Sequence, residues 1–240
     1  MSDQREYLLR AEKVSIHFGT HFALEDISFG VKPGEVLGIT GPNGSGKTTL
    51  INIISGVLHP ESGEVYFRGR RITKMKPHQR VRMGMARTFQ HARNIPEMSA
   101  YENVLLAALN SRAVKGSHRD LEGKIAGVLE KTRLVKQRDI PAGRLSSGCL
   151  RRLEIARALA TDPELLILDE PFAALSAREE KDLLALLEGL KQEGLTMIIV
   201  SHRFDILAAL ADRVLFLKDG REAFSGPAQD TLAFVEGQRT

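Results

Sequence analysis

The chain is organised around the stretch Gly41-Pro42-Asn43-Gly44-Ser45-Gly46-Lys47-Thr48-Thr49. This stretch fits the pattern G-x-x-x-x-G-K-[ST], in which a glycine-rich turn cradles phosphate groups. Residues 35–40 before it are apolar enough for a buried strand, and residues 50–54 after it continue a helix that ends near Gly56. Because a strand, a glycine-rich loop and a helix follow one another in the required order, we predict a phosphate-binding loop (P-loop) rather than a chance turn.

The chemistry of this loop predicts a nucleotide site. Glycines let the backbone turn so that successive N–H groups converge on a phosphate, and the helix that follows adds the positive end of its dipole. In this pattern Lys47 reaches the β- and γ-phosphates, and the Thr48 hydroxyl binds Mg²⁺. We therefore expect a nucleoside triphosphate and Mg²⁺ as ligands of residues 41–49.

The bulk composition is that of an ordinary globular protein. The chain has 240 residues, of which 27% are charged and 42% hydrophobic, which suits one large domain or one core with a subdomain. Its single cysteine rules out an internal disulfide and fits a reducing compartment. We see no signal-peptide pattern and no apolar run long enough to span a bilayer.

The remaining pattern predicts an α/β fold: a P-loop NTPase core whose sheet is mainly parallel, with an antiparallel β layer at one side. Helices are expected where apolar residues recur with helical spacing, at 50–56, 101–110, 121–135, 149–160 and 178–193. Strands are expected at 8–15, 22–30, 35–40, 63–69, 165–170 and 196–200, and as a hairpin at 213–218 and 221–224.

A basic segment between Arg68 and Arg93 has two interpretations. It holds nine lysines and arginines and no acidic residue, which is compatible either with a nucleic-acid surface or with a solvated face. The segment lacks the interleaved aromatic residues on which bases stack, and the net charge of +4 is mild. We therefore expect a solvated face and no nucleic-acid partner.

A second chemical motif ends the strand predicted at 165–170. Asp169 and Glu170 follow four apolar residues, at the edge where open α/β sheets bind ligands. Adjacent acids after a strand can also cap the next helix, but the upstream P-loop favours catalysis. We expect Asp169 to hold Mg²⁺, as the Walker B carboxylate does, and Glu170 to orient or deprotonate the attacking water. His202, just past the next strand, is a candidate to contact the γ-phosphate or that water.

These motifs, taken in order, resemble those of an ABC-transporter ATP-binding subunit over nearly the full length of the chain. They are the P-loop at 41–48, Gln90 in Arg87-Thr88-Phe89-Gln90, the signature Leu145-Ser146-Ser147-Gly148-Cys149, the Walker B strand at 165–170, and His202. The resemblance implies a single ABC ATPase domain over 1–240, in which 1–89 and 160–240 form the nucleotide-binding core with its β layer. An inserted helical subdomain at 90–159 would carry the signature.

The resemblance also implies roles for residues outside the two phosphate motifs. Phe18 matches the aromatic residue that stacks on adenine, although a core phenylalanine is the alternative. Gln90 matches the loop glutamine that contacts Mg²⁺ and the water and senses the membrane partner; a solvated loop residue is the alternative. Ser146, Ser147 and Gly148 of one subunit would face the γ-phosphate bound by the P-loop of a second subunit.

The family resemblance implies a set of partners as well as ATP and Mg²⁺. These are a second ATPase subunit, as a homodimer or a heterodimer of paralogues, transmembrane permease subunits, and a solute-binding protein in the full complex. The expected location is cytoplasmic, at the inner face of the membrane through the permease.

Two departures from the family pattern leave the rate of hydrolysis open. Cys149 replaces the glutamine that usually ends the signature, which removes an amide from the expected interface. Ser176 stands where an Asp or Asn usually follows the Walker B segment. A regulatory module that binds nucleotide but scarcely turns it over is therefore an alternative to a transport ATPase.

Three segments resemble the branched-chain amino acid importer ATPases in particular: residues 84–90, 94–104 and 151–160. Urea importers and the lipopolysaccharide-export ATPase are similar in the same segments, and a soluble ABC ATPase of DNA repair or translation is a further alternative. Since the substrate is chosen by the membrane partners, the sequence leaves substrate and direction of transport open.

Overall fold

Two β-sheets form the framework of the chain in a computed structural model, which describes residues 6–19, 21–88, 94–109 and 118–231. The larger sheet has six strands in the order β10-β9-β3-β8-β7-β6, and only β10 runs antiparallel to its neighbour. Its strands are β3 (Val36–Thr40), β6 (Met85–Arg87), β7 (Leu165–Asp169), β8 (Thr196–Val200), β9 (Arg213–Lys218) and β10 (Arg221–Pro227). The predicted α/β class and mainly parallel sheet are confirmed.

Both faces of the larger sheet are covered. Every residue of β3, β7 and β8 is buried, which explains why these strands read as continuous apolar runs. Within β7, Leu165 and Ile167 join one hydrophobic cluster, whereas Leu166 and Leu168 join another on the opposite face. Since the central strands are parallel, their carboxyl ends meet at one edge of the sheet, and this edge carries the phosphate motifs.

The antiparallel β layer is a second sheet of four strands in the order β2-β1-β4-β5. It packs through the P-loop helix α1 (Lys47–Ser55) onto one face of the larger sheet, in a shared cluster that includes Leu9, Leu24, Ile53 and Ile167. The strands are β1 (Leu9–Phe18), β2 (His21–Val31), β4 (Ser62–Phe67) and β5 (Arg70–Arg71).

The helices divide between the two sides of the molecule. The third hydrophobic cluster is built mainly from α3, α4 and α5 and contains no strand residue, and on this basis we propose that residues 90–159 form the helical subdomain. Helix α5 also reaches the second cluster through Ile155 and Ala158. The helices are α1 (Lys47–Ser55), α2 (Pro77–Arg82), α3 (Ala100–Leu109), α4 (His118–Lys131), α5 (Ser147–Leu159), α6 (Ala177–Gln192) and α7 (Phe204–Leu210). None of the helices in the described ranges is long and apolar enough to cross a membrane.

Two details of the predicted helices were wrong. Helix α5 begins at Ser147 rather than near Cys149, because Ser146 is its N-cap and accepts a hydrogen bond from the Cys149 backbone at 3.3 Å. Helix α4 ends at Lys131, before the predicted end at 135, and Arg133 lies in the left-handed region with φ 55°. The short elements β5, β6, α2 and α7 carried too few periodic residues to be predicted.

The expected solvated face of the basic segment is also wrong for two of its arginines. Arg80 is 1% exposed and donates hydrogen bonds to five main-chain carbonyls. Two of these, Ile53 and Ile54, lie in the last turn of α1. Arg87 is buried against Asp169. The segment is therefore partly internal, and two of its arginines tether the P-loop helix. The basic residues that remain exposed, as expected, are Arg68, Arg70, Arg71, Lys74, Lys76 and Arg82.

Candidate functional site

The carboxyl ends of β3, β7 and β8 meet at a cleft of about 290 Å³. The P-loop, which follows β3, lies against Asp169 and Glu170, which end β7. Larger grooves exist elsewhere, one of about 860 Å³ on the β layer, but that groove has no glycine-rich turn at a helix N-terminus. The cleft lining therefore combines two of the predicted motifs in one place. Its residues are Ala23, Asn43, Gly44, Ser45, Gly46, Lys47, Thr48, Thr49, Asp169, Glu170 and Val200.

The P-loop has a backbone that only glycine can follow at two points. Gly41 has φ 142°, and a Cβ there would lie 2.0 Å from the Leu217 carbonyl oxygen. Gly46 has φ 99°, and a Cβ there would lie 2.4 Å from the Ala23 carbonyl oxygen. Gly46 is also the N-cap of α1 and offers no side-chain cap to its first turn. The helix N-terminus is thus uncapped by the chain itself, as an anion site requires.

Lys47 is held over the loop by the loop's own backbone. Its Nζ donates hydrogen bonds to the carbonyls of Gly41 at 2.7 Å and Pro42 at 2.8 Å. Partial burial lowers the pKa of Lys47, while the charges of Glu170 and Asp169 oppose that shift. The ammonium is therefore oriented and partly desolvated beside the cleft, where an anionic ligand would interact with it strongly.

The Ser45 hydroxyl is a further group that is available to bond a phosphate. Its hydroxyl is buried in the loop and has no hydrogen-bond partner among the described residues. Buried polar atoms without partners are rare and mark sites where a ligand or water completes the bonding. Together with the uncapped helix and the Lys47 ammonium, this hydroxyl fits the polyphosphate of a nucleotide.

Glu170 adopts a strained backbone where β7 ends. Its φ is 46°, in the left-handed region that non-glycine residues rarely occupy, and its N–H is fixed by the Val200 carbonyl at 2.9 Å. Glu170 Oε2 lies 3.1 Å from Nδ1 of His202, two residues after the end of β8. The predicted candidates Glu170 and His202 are therefore in direct contact, and His202 can orient the carboxylate.

Asp169 lies deeper than Glu170, at the bottom of the cleft. Its carboxylate accepts a hydrogen bond from Arg87 Nη2 at 3.1 Å, and both side chains are buried, at 8% and 7% exposure. Arg87 Nη1 in turn donates to Asn52 Oδ1 at 2.7 Å and to Ser55 Oγ at 2.8 Å, both on α1. Arg87 thus joins the carboxylate after β7 to the helix that follows the P-loop, a role that the sequence did not reveal.

Other predicted site residues lie outside this cleft. Phe18 is 56% exposed at the end of β1, which excludes the core alternative, and it does not line the cleft. Gln90 lies outside the residues that the structure describes. Ser146, Ser147 and Gly148 form the first turn of α5 and are absent from the cleft lining. The structure therefore does not bring the signature to the P-loop of the same chain.

The signature turn has its own partner, which the sequence analysis did not identify. Gly148 donates its N–H to Glu179 Oε1 at 2.8 Å, and Ser147 Oγ lies 3.3 Å from the same oxygen. Glu179 and Ser176 form a capping box at the start of α6. The spacing Ser176-x-x-Glu179 predicts such a box, but no local pattern predicts the additional contact with Gly148.

Cys149 and Ser176, the two departures from the family pattern, both have structural roles. Cys149 is 9% exposed within the helical cluster, and Arg152 Nη2 lies 3.2 Å from its sulfur. Ser176 supplies the N-cap of α6 that an Asp or Asn would otherwise provide. Neither substitution removes a group from the cleft.

Breaking the buried pair at the bottom of the cleft should be costly. Replacing Arg87 by Met keeps much of the side-chain volume but leaves the buried Asp169 carboxylate without its hydrogen-bonded cation. We expect the free energy of unfolding to fall by about 3 kcal/mol, as when one member of a buried pair is removed. Urea unfolding measures this, with Arg70→Met as the exposed control; a loss no larger than that of the control would contradict the pairing.

Because Glu179 accepts several hydrogen bonds, the folding stability of the chain should depend on pH in the acidic range. Bonds from Ser176 and Gly148 lower the pKa of Glu179 from 4.5 to about 2. A depressed pKa contributes stability above the unfolded value and loses it as the pH falls through the folded value. We expect wild type to exceed Glu179→Gln by about 1 kcal/mol between pH 5 and 7, after solvent screening, with the difference shrinking from pH 4.5 toward 2. Chemical unfolding at several pH values measures it; a difference independent of pH would contradict the assignment.

Comparison with known proteins agrees with this geometry. Residues 24–173 match the family described as ABC transporter. The chain is 35% identical to the probable branched-chain amino acid transport ATP-binding protein LivG of Methanocaldococcus jannaschii, over 98% of this chain and 95% of that protein. It is also 35% identical to the arginine transport ATP-binding protein ArtM of Bacillus subtilis, over 97% and 96% of the two chains.

Solved structures give the same result. The ADP conformation of MJ1267, an ATP-binding cassette of an ABC transporter, matches with a TM-score of 0.85 and 33% identity over 95% of each chain. The dimeric post-hydrolysis cassette MJ0796, bound to ADP and Pi, matches with a TM-score of 0.80 and 27% identity over 92% of this chain and 98% of that one. The family match covers more than half of this chain, and LivG aligns with it nearly end to end. The chain therefore belongs to the ABC transporter family, as an ATP-binding subunit that hydrolyses ATP.

Proposed function

We propose that this chain powers the import of branched-chain or similar amino acids through a separate membrane permease. The observation that carries the proposal is the nearly end-to-end similarity to LivG, together with the segments 84–90, 94–104 and 151–160 noted above. ArtM, named for arginine, is as similar. The class of amino acid is therefore the more specific part of the proposal, and the coupling of ATP hydrolysis to transport is the more general part.

The cleft supplies the groups that ATP hydrolysis needs. The main-chain amides of residues 41–49 and the Lys47 ammonium bind the phosphates and hold the γ-phosphate beside Glu170. Glu170 orients the attacking water and accepts its proton, and His202 holds the Glu170 carboxylate in position from 3.1 Å. The exposed Phe18 ring stacks on the adenine.

The donor set of the cleft also fits Mg²⁺. Thr48 and Asp169 line the same cleft, and within the described ranges no three His, Cys, Asp or Glu side chains are arranged to hold a metal ion by themselves. Mg²⁺ usually keeps several waters and binds through one or two carboxylates plus phosphates, so few protein ligands suffice. Thr48, Asp169 and Gln90 would hold the ion. When bound, it neutralises charge on the phosphate oxygens.

A second subunit completes the site in this proposal. The first turn of α5, with Ser146, Ser147 and Gly148, is a helix N-terminus that lies away from the cleft of its own chain. In a head-to-tail pair, this turn meets the γ-phosphate bound by the partner's P-loop. The dimeric MJ0796 cassette is a precedent for association of two such chains. The pair is a homodimer or a heterodimer of paralogues.

The proposed complex places the chain at the cytoplasmic face of the membrane. The chain is attached there through transmembrane permease subunits, and a solute-binding protein delivers the substrate on the other side. Both LivG and ArtM are named as transport ATP-binding proteins. The scheme includes no nucleic acid, because the net charge of +4 is mild and the basic segment lacks interleaved aromatic residues.

Reconstitution tests the proposed substrate class. The chain would be assembled in vesicles with the permease subunits and the solute-binding protein encoded beside it, and ATP-driven uptake of labelled solutes measured. We expect uptake of leucine, isoleucine and valine above that of arginine, urea, sulfate and ribose. Preference for urea, lipid-linked saccharide export, or ATPase stimulation by DNA or ribosomes instead of a permease would each contradict the proposal.

A further inference from the structure

Glu179 joins two turns that belong to different parts of the site. One is the first turn of α5, which carries the signature, and the other is the start of α6 at Ala177, eight residues after β7 ends at Asp169. The two carboxylate oxygens accept their shorter hydrogen bonds from different turns. Oε1 accepts the Gly148 N–H at 2.8 Å, whereas Oε2 accepts the Ser176 N–H at 3.0 Å and the Ser176 hydroxyl at 2.8 Å. The Ser147 hydroxyl makes longer contacts with both oxygens, at 3.3 Å to Oε1 and 3.5 Å to Oε2.

The contact with Gly148 depends on the absence of a side chain there. A Cβ at position 148 would lie 2.6 Å from Glu179 Oε1 and 2.6 Å from its Cγ. The carboxylate therefore sits directly over the main chain of the signature turn, closer than any other residue type at 148 would allow. In this position it bonds an N–H of the first turn of α5, as an anion at a helix N-terminus does.

Hydrogen bonds rather than a salt bridge stabilise the Glu179 carboxylate. Within the described ranges it has no lysine or arginine partner, and the bonds from Ser176 and Gly148 lower its pKa to about 2. At neutral pH the signature turn thus carries a full negative charge supplied by its own chain. A phosphate that approached the same amide would meet both an occupied donor and a like charge.

We propose that Glu179 sets how readily two copies of the chain close over nucleotide, by holding the Gly148 amide that the partner's nucleotide phosphate requires. The inference rests on the proposed function, in which the signature turn of one chain meets the γ-phosphate of the other. Closure then exchanges one anion for another: Oε1 leaves the Gly148 N–H, and a phosphate oxygen takes its place.

The division between the two oxygens makes this exchange possible without unfolding α6. Oε2 can keep both bonds to Ser176 while Oε1 leaves Gly148, so the capping box persists through closure. The open state is favoured by one charge-assisted hydrogen bond, which is exposed enough for its net contribution to be small. Glu179 therefore tunes the equilibrium rather than blocking it.

Nucleotide-driven dimerisation tests the proposal. Sedimentation velocity would measure the ATP·Mg²⁺ concentration that gives half-maximal dimer, with Glu170→Gln as the parent so that hydrolysis does not dissolve the dimer. Adding Glu179→Gln should lower that concentration about threefold to tenfold, as expected for removal of one charged competitor. Adding Glu188→Gln, which removes an exposed charge further along α6, should leave it unchanged.

A second variant tests the hydrogen bond between Glu179 and Gly148 separately from the negative charge of Glu179. Glu179→Asp keeps the charge but is one methylene too short to reach Gly148 and Ser176 together, so it should also lower the concentration. The Gly148 amide resonance of the nucleotide-free chain should shift in both Glu179 variants and not in Glu188→Gln.

The outcomes distinguish this inference from the proposed function. A parent that dimerises with ATP while Glu179→Gln needs the same or more nucleotide would overturn the competition and leave Glu179 a structural cap. A parent that folds and binds ATP but does not dimerise would overturn the two-subunit site, and this inference with it.

Discussion

Replacing Glu170 by Gln is expected to lower the steady-state ATPase rate by about 10²- to 10³-fold, the usual contribution of a positioned general base. The amide keeps the shape of the side chain and its reach to His202, which lies 3.1 Å from the wild-type carboxylate. It cannot accept the proton of the attacking water. The loss should therefore fall on kcat, with ATP affinity close to that of wild type.

The measurement is phosphate release against ATP concentration, combined with calorimetry of ATP binding to both proteins. Glu130→Gln, an exposed acid on α4, is the matched control and should behave as wild type. Equal rates for wild type and Glu170→Gln, both near background, would instead favour the regulatory module that binds nucleotide without turning it over.

The second large effect is on stability. Replacing Arg80 by Ala should lower the free energy of unfolding by about 3–5 kcal/mol, in the range of the most damaging single substitutions. Arg80 is buried and donates to five main-chain carbonyls: those of Ile53, Ile54, Ile72, Thr73 and Met75. Burial also lowers the pKa of its guanidinium to about 10. Removing the guanidinium deletes all five of these hydrogen bonds at once, although the Ile53 and Ile72 carbonyls keep bonds from the Gly56 and Met75 N–H groups.

Urea unfolding of the Arg80 variant measures this loss. Arg82→Ala, two residues along the same helix and exposed, is the control and should cost less than about 1 kcal/mol. Arg80→Lys should recover only part of the stability, because one ammonium cannot reach all of the acceptors spread around the edge of the guanidinium group. Equal losses for Arg80→Ala and Arg82→Ala would show that the carbonyl network contributes little.

The features that could be predicted from the sequence are those whose pattern lies within a few neighbouring residues. The P-loop and the acids Asp169 and Glu170 lie next to the strands that position them, so spacing and apolar runs were enough to locate them. The parallel sheet followed from buried runs such as Thr196–Val200. The placement of Phe18 at the surface could not be decided, because one aromatic residue at a strand end fits either a core or a binding site.

The features that escaped prediction depend on partners far away in the chain. Arg80 bonds residues 26 and 27 positions earlier, and Arg87 reaches Asp169 across 82 positions. Their positive charge gave no sign of which arginines fold inward. Glu179 contacts Gly148 across 31 positions, whereas only its local capping box has a sequence pattern. The roles of Arg80, Arg87 and Glu179 are therefore set by tertiary contacts rather than by local sequence propensity.

Calorimetric titration with ATP and Mg²⁺ tests the central claim most directly, that the loop amides and the Lys47 ammonium grip the nucleotide phosphates. We predict one ATP per wild-type chain, and an affinity about 100-fold lower for Lys47→Met, the loss expected when a charged hydrogen-bonding group is removed from a phosphate. A folded wild-type chain that takes up no ATP, or a Lys47→Met variant that binds as tightly as wild type, would contradict the account.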